Sequence, residues 1–148
     1  LDLFKYFYNG EIKMKIRDLI EVIIAFIAAY IFYQFLILIS GTTVPVVSVA
    51  SGSMIPKLYP GDIVIATKPE NLKIGDIIIY RANCSYLPNE DIIHRIIGFE
   101  NDKIITKGDN NLVKDPCLVE KSQVKGKVIF AVPLLGWPKL ILYKLTGL

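Results

Sequence analysis

A mainly β domain behind one N-terminal membrane-spanning helix is the fold that the sequence predicts, and three observations predict it. Between Leu19 and Ile39 the chain is apolar apart from Glu21, Gln34 and the tyrosines Tyr30 and Tyr33. After Gly41 the helical spacing of apolar residues disappears, and short Ile- and Val-rich runs follow, each bounded by Gly, Pro, Asn or Asp. Two of these runs start from nearly the same turn, Pro60-Gly61-Asp62-Ile63-Val64-Ile65 and Ile74-Gly75-Asp76-Ile77-Ile78-Ile79.

The first element is the helix. Coiled at roughly 1.5 Å per residue, residues 19–39 would reach about 31 Å, the thickness of a bilayer's hydrocarbon layer. A cleaved secretory leader has a shorter apolar core, about 7–15 residues, with its cleavage site close behind. The first small-x-small triplet here, Ser48-Val49-Ala50, lies well past the run, so the expectation is a retained anchor. Glu21 sits within a turn of the helix end, where a carboxylate can reach the interface. Lys5, Lys13, Lys15 and Arg17 precede the span, and no Lys or Arg follows until Lys57. The positive-inside rule then puts residues 1–18 in the cytoplasm, 19–39 in the bilayer and the domain of residues 40–148 outside.

Strands are expected at 44–50, 62–67, 76–81, 91–98, 103–106 and 124–132. The two near-repeats read as turn chemistry used twice, with Gly supplying the positive φ of a tight turn. Glu100-Asn101-Asp102, between two β runs, reads as a hairpin turn. The stretch 128–148 is apolar but interrupted by Pro133, Gly136, Pro138 and Lys139, so it should not span. Trp137 among leucines suits either a segment dipping into the membrane interface or a packed tail.

Composition narrows the function. The chain has 148 residues, enough for one domain with a core besides the anchor. A net charge of +3 is too small and dispersed for a nucleic-acid binder. Two cysteines and one histidine cannot build a zinc-type cluster, and no cofactor is implied.

Three segments could carry chemistry. In Ser51-Gly52-Ser53-Met54-Ile55-Pro56, Gly52 relaxes the backbone before Ser53 and Pro56 stops a strand. A nucleophilic serine needs such a bend, with its hydroxyl exposed and backbone N–H groups facing the developing oxyanion. His94, in Asp91-Ile92-Ile93-His94-Arg95-Ile96-Ile97, shares a face with Ile92 and Ile96 by strand alternation, while Arg95 points the other way. It is the only histidine, so any His-dependent mechanism must use it. The polar loop Lys107-Gly108-Asp109-Asn110-Asn111-Leu112-Val113-Lys114-Asp115-Pro116 offers two carboxylates, either of which could orient an imidazole. Taken singly, each segment reads better as structure: a Ser-Gly loop, a core histidine, an Asx-rich turn.

Together, and in this order, the segments resemble the signal peptidase I family. The resemblance covers roughly residues 44–115, through the Ser-Gly-Ser-Met-x-Pro box, the Pro-Gly-Asp turn, the His-Arg-Ile strand and the Gly-Asp-Asn-Asn loop. It continues more loosely through 126–132. It implies the signal-peptidase-type β catalytic domain, a complex β fold on the exported side. The bacterial form of the family uses a Ser–Lys dyad; here the base position is His94, as in the archaeal and endoplasmic-reticulum forms. The resemblance therefore implies Ser53 as nucleophile, His94 as general base and then acid, Asp115 as triad partner and Asp109 in a supporting place. The oxyanion donors would be the Ser53 N–H and the Ser51 hydroxyl.

The implied substrates are preproteins with small residues at the first and third positions before the cut. Fourteen residues separate Ile39 from Ser53, a reach of at most about 50 Å, which keeps a cut close to the bilayer. The implied location is the cell membrane, or the endoplasmic-reticulum membrane in a eukaryote. Besides leader peptides and the bilayer, translocon or accessory subunits are candidate partners, since the chain lacks the large β insertion of bacterial members and a further subunit could complete the groove. Cys84 and Cys117 either pair as a disulfide bracing the loop or stand as separate thiols. Two rivals remain: a self-cleaving repressor-type peptidase, disfavoured by His94 and the anchor, and an inactive anchored β module that binds peptides or partner proteins.

Overall fold

In the computed structural model of the chain, described for residues 16–84, 86–87 and 89–133, the protein divides after Phe35 into a helical unit and a unit that holds one β-sheet. Lys5, Lys13 and Lys15, and the apolar tail around Trp137, lie outside the described residues.

Helix α1 runs Ile16–Ser40, and none of its side chains is buried. Its 25 residues reach about 37 Å, more than a hydrocarbon core needs. Phe26, Ile31, Phe32 and Leu38 are all more than 60% exposed, so this is not the core helix of a water-soluble domain. Among the described residues it is the one helix long and apolar enough to cross a membrane. Glu21 lies one turn from Arg17, 3.7 Å from its Nε, near the helix start. Gly41, at φ 65°, ends the helix in a conformation that costs a residue without Cβ little.

The sheet comprises β1 (Val46–Ser48), β2 (Ile63–Thr67), β3 (Ile77–Arg81), β4 (Asp91–Glu100), β5 (Lys103–Lys107) and β6 (Val124–Val132). The order is β1-β2-β6-β3-β4-β5, and every pair is antiparallel. The mainly β expectation holds, and all six runs become strands. The last strand is thus inserted between the second and third, and β3 becomes central.

Strand β3 explains why the sheet has a core on each side. Ile77 and Ile79 point into a cluster with Val49, Met54, Leu58, Val64 and Ala66, and Ile78 and Tyr80 into a second with Ile96, Ile104, Val119 and Val124. Burying each such side chain is worth roughly 1.5–3 kcal/mol. One cluster therefore anchors the turn that follows β1, and the other lies beneath β4 and β5.

The two near-repeated turns have the same construction. Gly61 and Gly75 both stand at φ 97°. The aspartate that follows each glycine accepts a backbone N–H from three residues back: Tyr59 N–H to Asp62 Oδ2 at 2.9 Å, Lys73 N–H to Asp76 Oδ2 at 2.8 Å. Asn101 and Asp102 form a two-residue hairpin turn at φ 48° and 62°, with Glu100 paired to Lys103. Strand β4 is ten residues long but pairs with β5 only from Arg95 onward. Its first half, Asp91 to His94, has β3 on one side and an open edge on the other.

Candidate active site

The sheet brings three distant polar side chains together. Ser53 projects from the turn after β1, whose shape is fixed by backbone bonds from Lys57 and Leu58 to the Met54 carbonyl, both 2.9 Å. Met54 and Leu58, each 1% exposed, plug that turn into the first core cluster. The Ile55–Pro56 peptide is cis. Ser53 stays accessible because its neighbour Met54 takes the inward position.

His94 lies opposite Ile78 in the β3–β4 register, on the same face as Ile92 and Ile96. It is 6% exposed. Its Nε2 is 3.1 Å from Ser53 Oγ, and its Nδ1 is 2.6 Å from Asp115 Oδ2. With Nδ1–H given to the carboxylate, Nε2 is the free nitrogen that faces the serine. Ser51 Oγ stands 3.2 Å from Ser53 Oγ.

Asp115, 7% exposed, sits at the end of the polar loop, and its own N–H is bonded to the Thr106 carbonyl at 2.8 Å. Tyr80 donates its hydroxyl to Asp115 Oδ2 at 2.9 Å, and Thr106 does the same at 2.6 Å. Burial pushes the Asp115 carboxyl toward its neutral form, but hydrogen bonds from His94, Thr106 and Tyr80 outweigh it and hold the group below the usual carboxylate value. Burial, reinforced by the Asp115 charge, keeps the Tyr80 phenol far above its ordinary value, so it remains a donor.

Asp109 touches neither Ser53 nor His94 through any described hydrogen bond. Its two oxygens take Arg95 Nε at 2.8 Å and Nη2 at 2.6 Å, a forked pair on the opposite face of β4. Arg95 Nη1 also donates to the Gly75 carbonyl at 2.7 Å, tying the loop to the turn before β3. The loop in turn grips the serine segment. Asn110 N–H donates to the Ser53 carbonyl at 2.8 Å, and Asn110 Nδ2 to the Gly52 carbonyl at 3.2 Å. The approach is so close that a Cβ on Gly108 would stand 2.7 Å from the Ser53 carbonyl oxygen.

Cys84 and Cys117 are joined as a disulfide, with Cα atoms 6.5 Å apart. A cavity of about 400 Å³ opens beside Ser53 and His94, lined by Val49, Met54, Leu87 and Ile92 among others. It lies between the β1 segment and the open half of β4. Among the described residues, no three His, Cys, Asp or Glu side chains converge as metal ligands would.

Sequence reasoning singled out Ser53, His94, Asp115, Asp109 and Ser51, and missed Tyr80, Thr106, Gly108 and Asn110. For the first two the signal lies in the strand register, which no short stretch of sequence contains. Tyr80 pairs with Ile92 and Thr106 with Ile96, so each puts a hydroxyl at an inward register position flanking His94.

The sequence matches the family described as "Signal peptidase, peptidase S26" over residues 18–130. Relatives include the signal peptidase complex catalytic subunit SEC11 of Plasmodium falciparum, 33% identical over 92% of this chain and 78% of that protein. The SEC11 of Candida tropicalis is 30% identical over 89% and 86%, and that of Eremothecium gossypii 28% identical over 88% and 85%.

Proposed function

The chain belongs to the signal peptidase family, peptidase S26, and from that premise we propose that it removes signal peptides with Ser53, His94 and Asp115 as its catalytic triad. The protein is a membrane-bound serine endopeptidase. One observation carries the assignment of residues: both ring nitrogens of His94 are engaged, one with Ser53 Oγ and the other with Asp115 Oδ2.

On this reading Ser53 Oγ attacks the scissile carbonyl as its proton moves to His94 Nε2. The oxyanion is met by the Ser53 N–H and the Ser51 hydroxyl. His94 then protonates the departing amine, the new N-terminus of the mature protein, and leaves the leader as an ester on Ser53. Water, deprotonated by His94, hydrolyses the ester and restores the serine. Asp115 holds the imidazole in one tautomer and balances its charge during each transfer.

The substrates we assign are preproteins with small residues at the first and third positions before the cut. The open half of β4 and the facing β1 segment offer two strand edges, which an extended leader end can join by main-chain pairing. The inactive-module alternative draws no support from a histidine within hydrogen-bonding distance of both a serine and an aspartate. We assign α1 as a single span, with residues 1–18 cytoplasmic and the domain of residues 40–148 outside. Arg17 and the lysines before it support that orientation. The SEC11 relatives are named as subunits of a signal peptidase complex, and we extend to this chain the reading that accessory subunits can join it.

The test is cleavage of a preprotein by the detergent-solubilised full chain beside Ser53→Ala and His94→Ala. Both folded variants should lose nearly all turnover, and full activity in Ser53→Ala would sink the mechanism. For the wild type, kcat/KM should fall on acidification, because a histidine base must be neutral to take the serine's proton.

A further inference from the structure

We propose that Tyr80 and Thr106 are positioning residues for this hydrolysis: their two hydroxyls fix Asp115 Oδ2, the oxygen that holds His94. The inference rests on the triad reading above and adds what keeps its third member in place.

Three donors converge on that one oxygen: His94 Nδ1 at 2.6 Å, Thr106 Oγ1 at 2.6 Å and Tyr80 OH at 2.9 Å. Tyr80 and Thr106 are both fully buried, and both come from the interior of the sheet. Tyr80 belongs to the apolar cluster of Ile78, Ile96, Ile104 and Val119, where phenylalanine would fill nearly the same volume. Its hydroxyl would be a cost in that setting without a partner, and the carboxylate is the partner. Thr106 holds Asp115 twice, through the hydroxyl and through its carbonyl, which takes the Asp115 N–H. The carboxylate of a triad must stay ionised and immobile although it is buried. Two fixed hydroxyls meet both needs. They also share its negative charge, which moderates its pull on the imidazolium.

The groups that face Asp115 can be enumerated by element. His94 comes from β4, Tyr80 from β3 and the neutral Thr106 from β5, while Arg95 and Asp109 pair with each other on the opposite face of β4. Removing one hydroxyl leaves the carboxylate more basic and better able to stabilise a protonated His94. The acid limb of activity should then move to higher pH.

The experiment measures kcat/KM against pH for the full-length protein in detergent, comparing wild type, Tyr80→Phe, Thr106→Val, Asp115→Asn and Asp115→Asn/Tyr80→Phe. Tyr80→Phe should melt close to wild type, lose roughly tenfold in kcat/KM at its optimum, and shift the acid limb upward by about half a pH unit. Thr106→Val should shift it in the same direction, and it reads the same oxygen if Tyr80→Phe does not fold. In the Asp115→Asn background, Tyr80→Phe should have no further effect, because its route to the chemistry is gone. A folded Tyr80→Phe that matches wild type in rate and acid limb would overturn the proposal, as would a Tyr80→Phe effect undiminished beside Asp115→Asn. If Asp115→Asn alone were fully active, the triad assignment itself would fall. An inactive Asp115→Asn beside an unaffected Tyr80→Phe would remove only the positioning role.

Discussion

Replacing Gly108 by alanine tests how the loop and the nucleophile are fitted to each other. A Cβ at that position meets the Ser53 carbonyl oxygen at 2.7 Å and Asn111 Nδ2 at 2.8 Å, against an ordinary contact of at least 3.4 Å. Roughly 0.7 Å must therefore be made up. Asn111 can swing aside, but the Ser53 carbonyl is backbone and moves only with the serine. That movement strains the bond from Asn110 N–H, 2.8 Å long, and draws Ser53 Oγ off His94 Nε2, now 3.1 Å away. Overpacking of this kind costs about 2 kcal/mol, which for a domain of this size lowers Tm by roughly 8 °C. The catalytic loss should exceed the loss of stability, because displacing a reacting group by most of an ångström can cost up to about 100-fold. Thermal melts followed by circular dichroism and preprotein cleavage on the same detergent samples give both numbers. A Gly108→Ala protein that melts within a degree of wild type and cleaves at full rate would refute the close fit.

Two further predictions follow from charged groups. Asp109→Asn unforks the bond to Arg95; with both side chains less than a third exposed, it should cost about 1 kcal/mol in stability yet roughly tenfold in kcat, because Asn110 next along the chain holds the Ser53 carbonyl. Chemical denaturation and steady-state kinetics read the two effects, and an unaltered kcat would show that the loop stays in place without the ion pair. Asp115 has a native value below its unfolded one, so its ionisation stabilises the fold above the ordinary carboxylate value of about 3.9, and that contribution is lost as pH falls through the lower native value. Wild type should therefore exceed Asp115→Asn in urea midpoint at pH 7 and 5, with the gap closing below about pH 4; a gap that widened in acid would reverse the assigned sign.

Much of this was legible in the chain because strand signals are local. Residues 62–67, 76–81 and 124–132 became β2, β3 and β6 almost unchanged, since a Gly-Asp turn starts the first two, Pro133 bounds the third, and apolar residues rich in Ile and Val recur in all three. The run at 44–50 shortened to Val46–Ser48, because its last residues enter the turn that carries Ser53. The alternation that sets His94 apart from Arg95 also held, and it explains why the two loop aspartates part company: Asp115 reaches the His94 face and Asp109 the Arg95 face. Strand order was not legible, for insertion of β6 between β2 and β3 depends on non-local pairing that no short window contains. The roles of Tyr80 and Thr106 were hidden for the same reason. Each looks like an ordinary strand residue until the register places its hydroxyl against a carboxylate 35 or 9 residues away.

The Cys84–Cys117 bond closes a covalent ring of 33-residue span, and the ring contains His94 and Asp115 but not Ser53. Closing a loop of that length removes about 3–4 kcal/mol of disorder from the unfolded chain. That saving applies unequally to the three members of the triad. The acid–base half lies within one covalent ring, while the nucleophile is held to it only by non-covalent contacts: the two Asn110 bonds, the Ser53–His94 bond and the core packing of Met54 and Leu58. In the unfolded chain the histidine and aspartate are thus confined to one closed loop, and the wider conformational search is left to the segment that carries the serine.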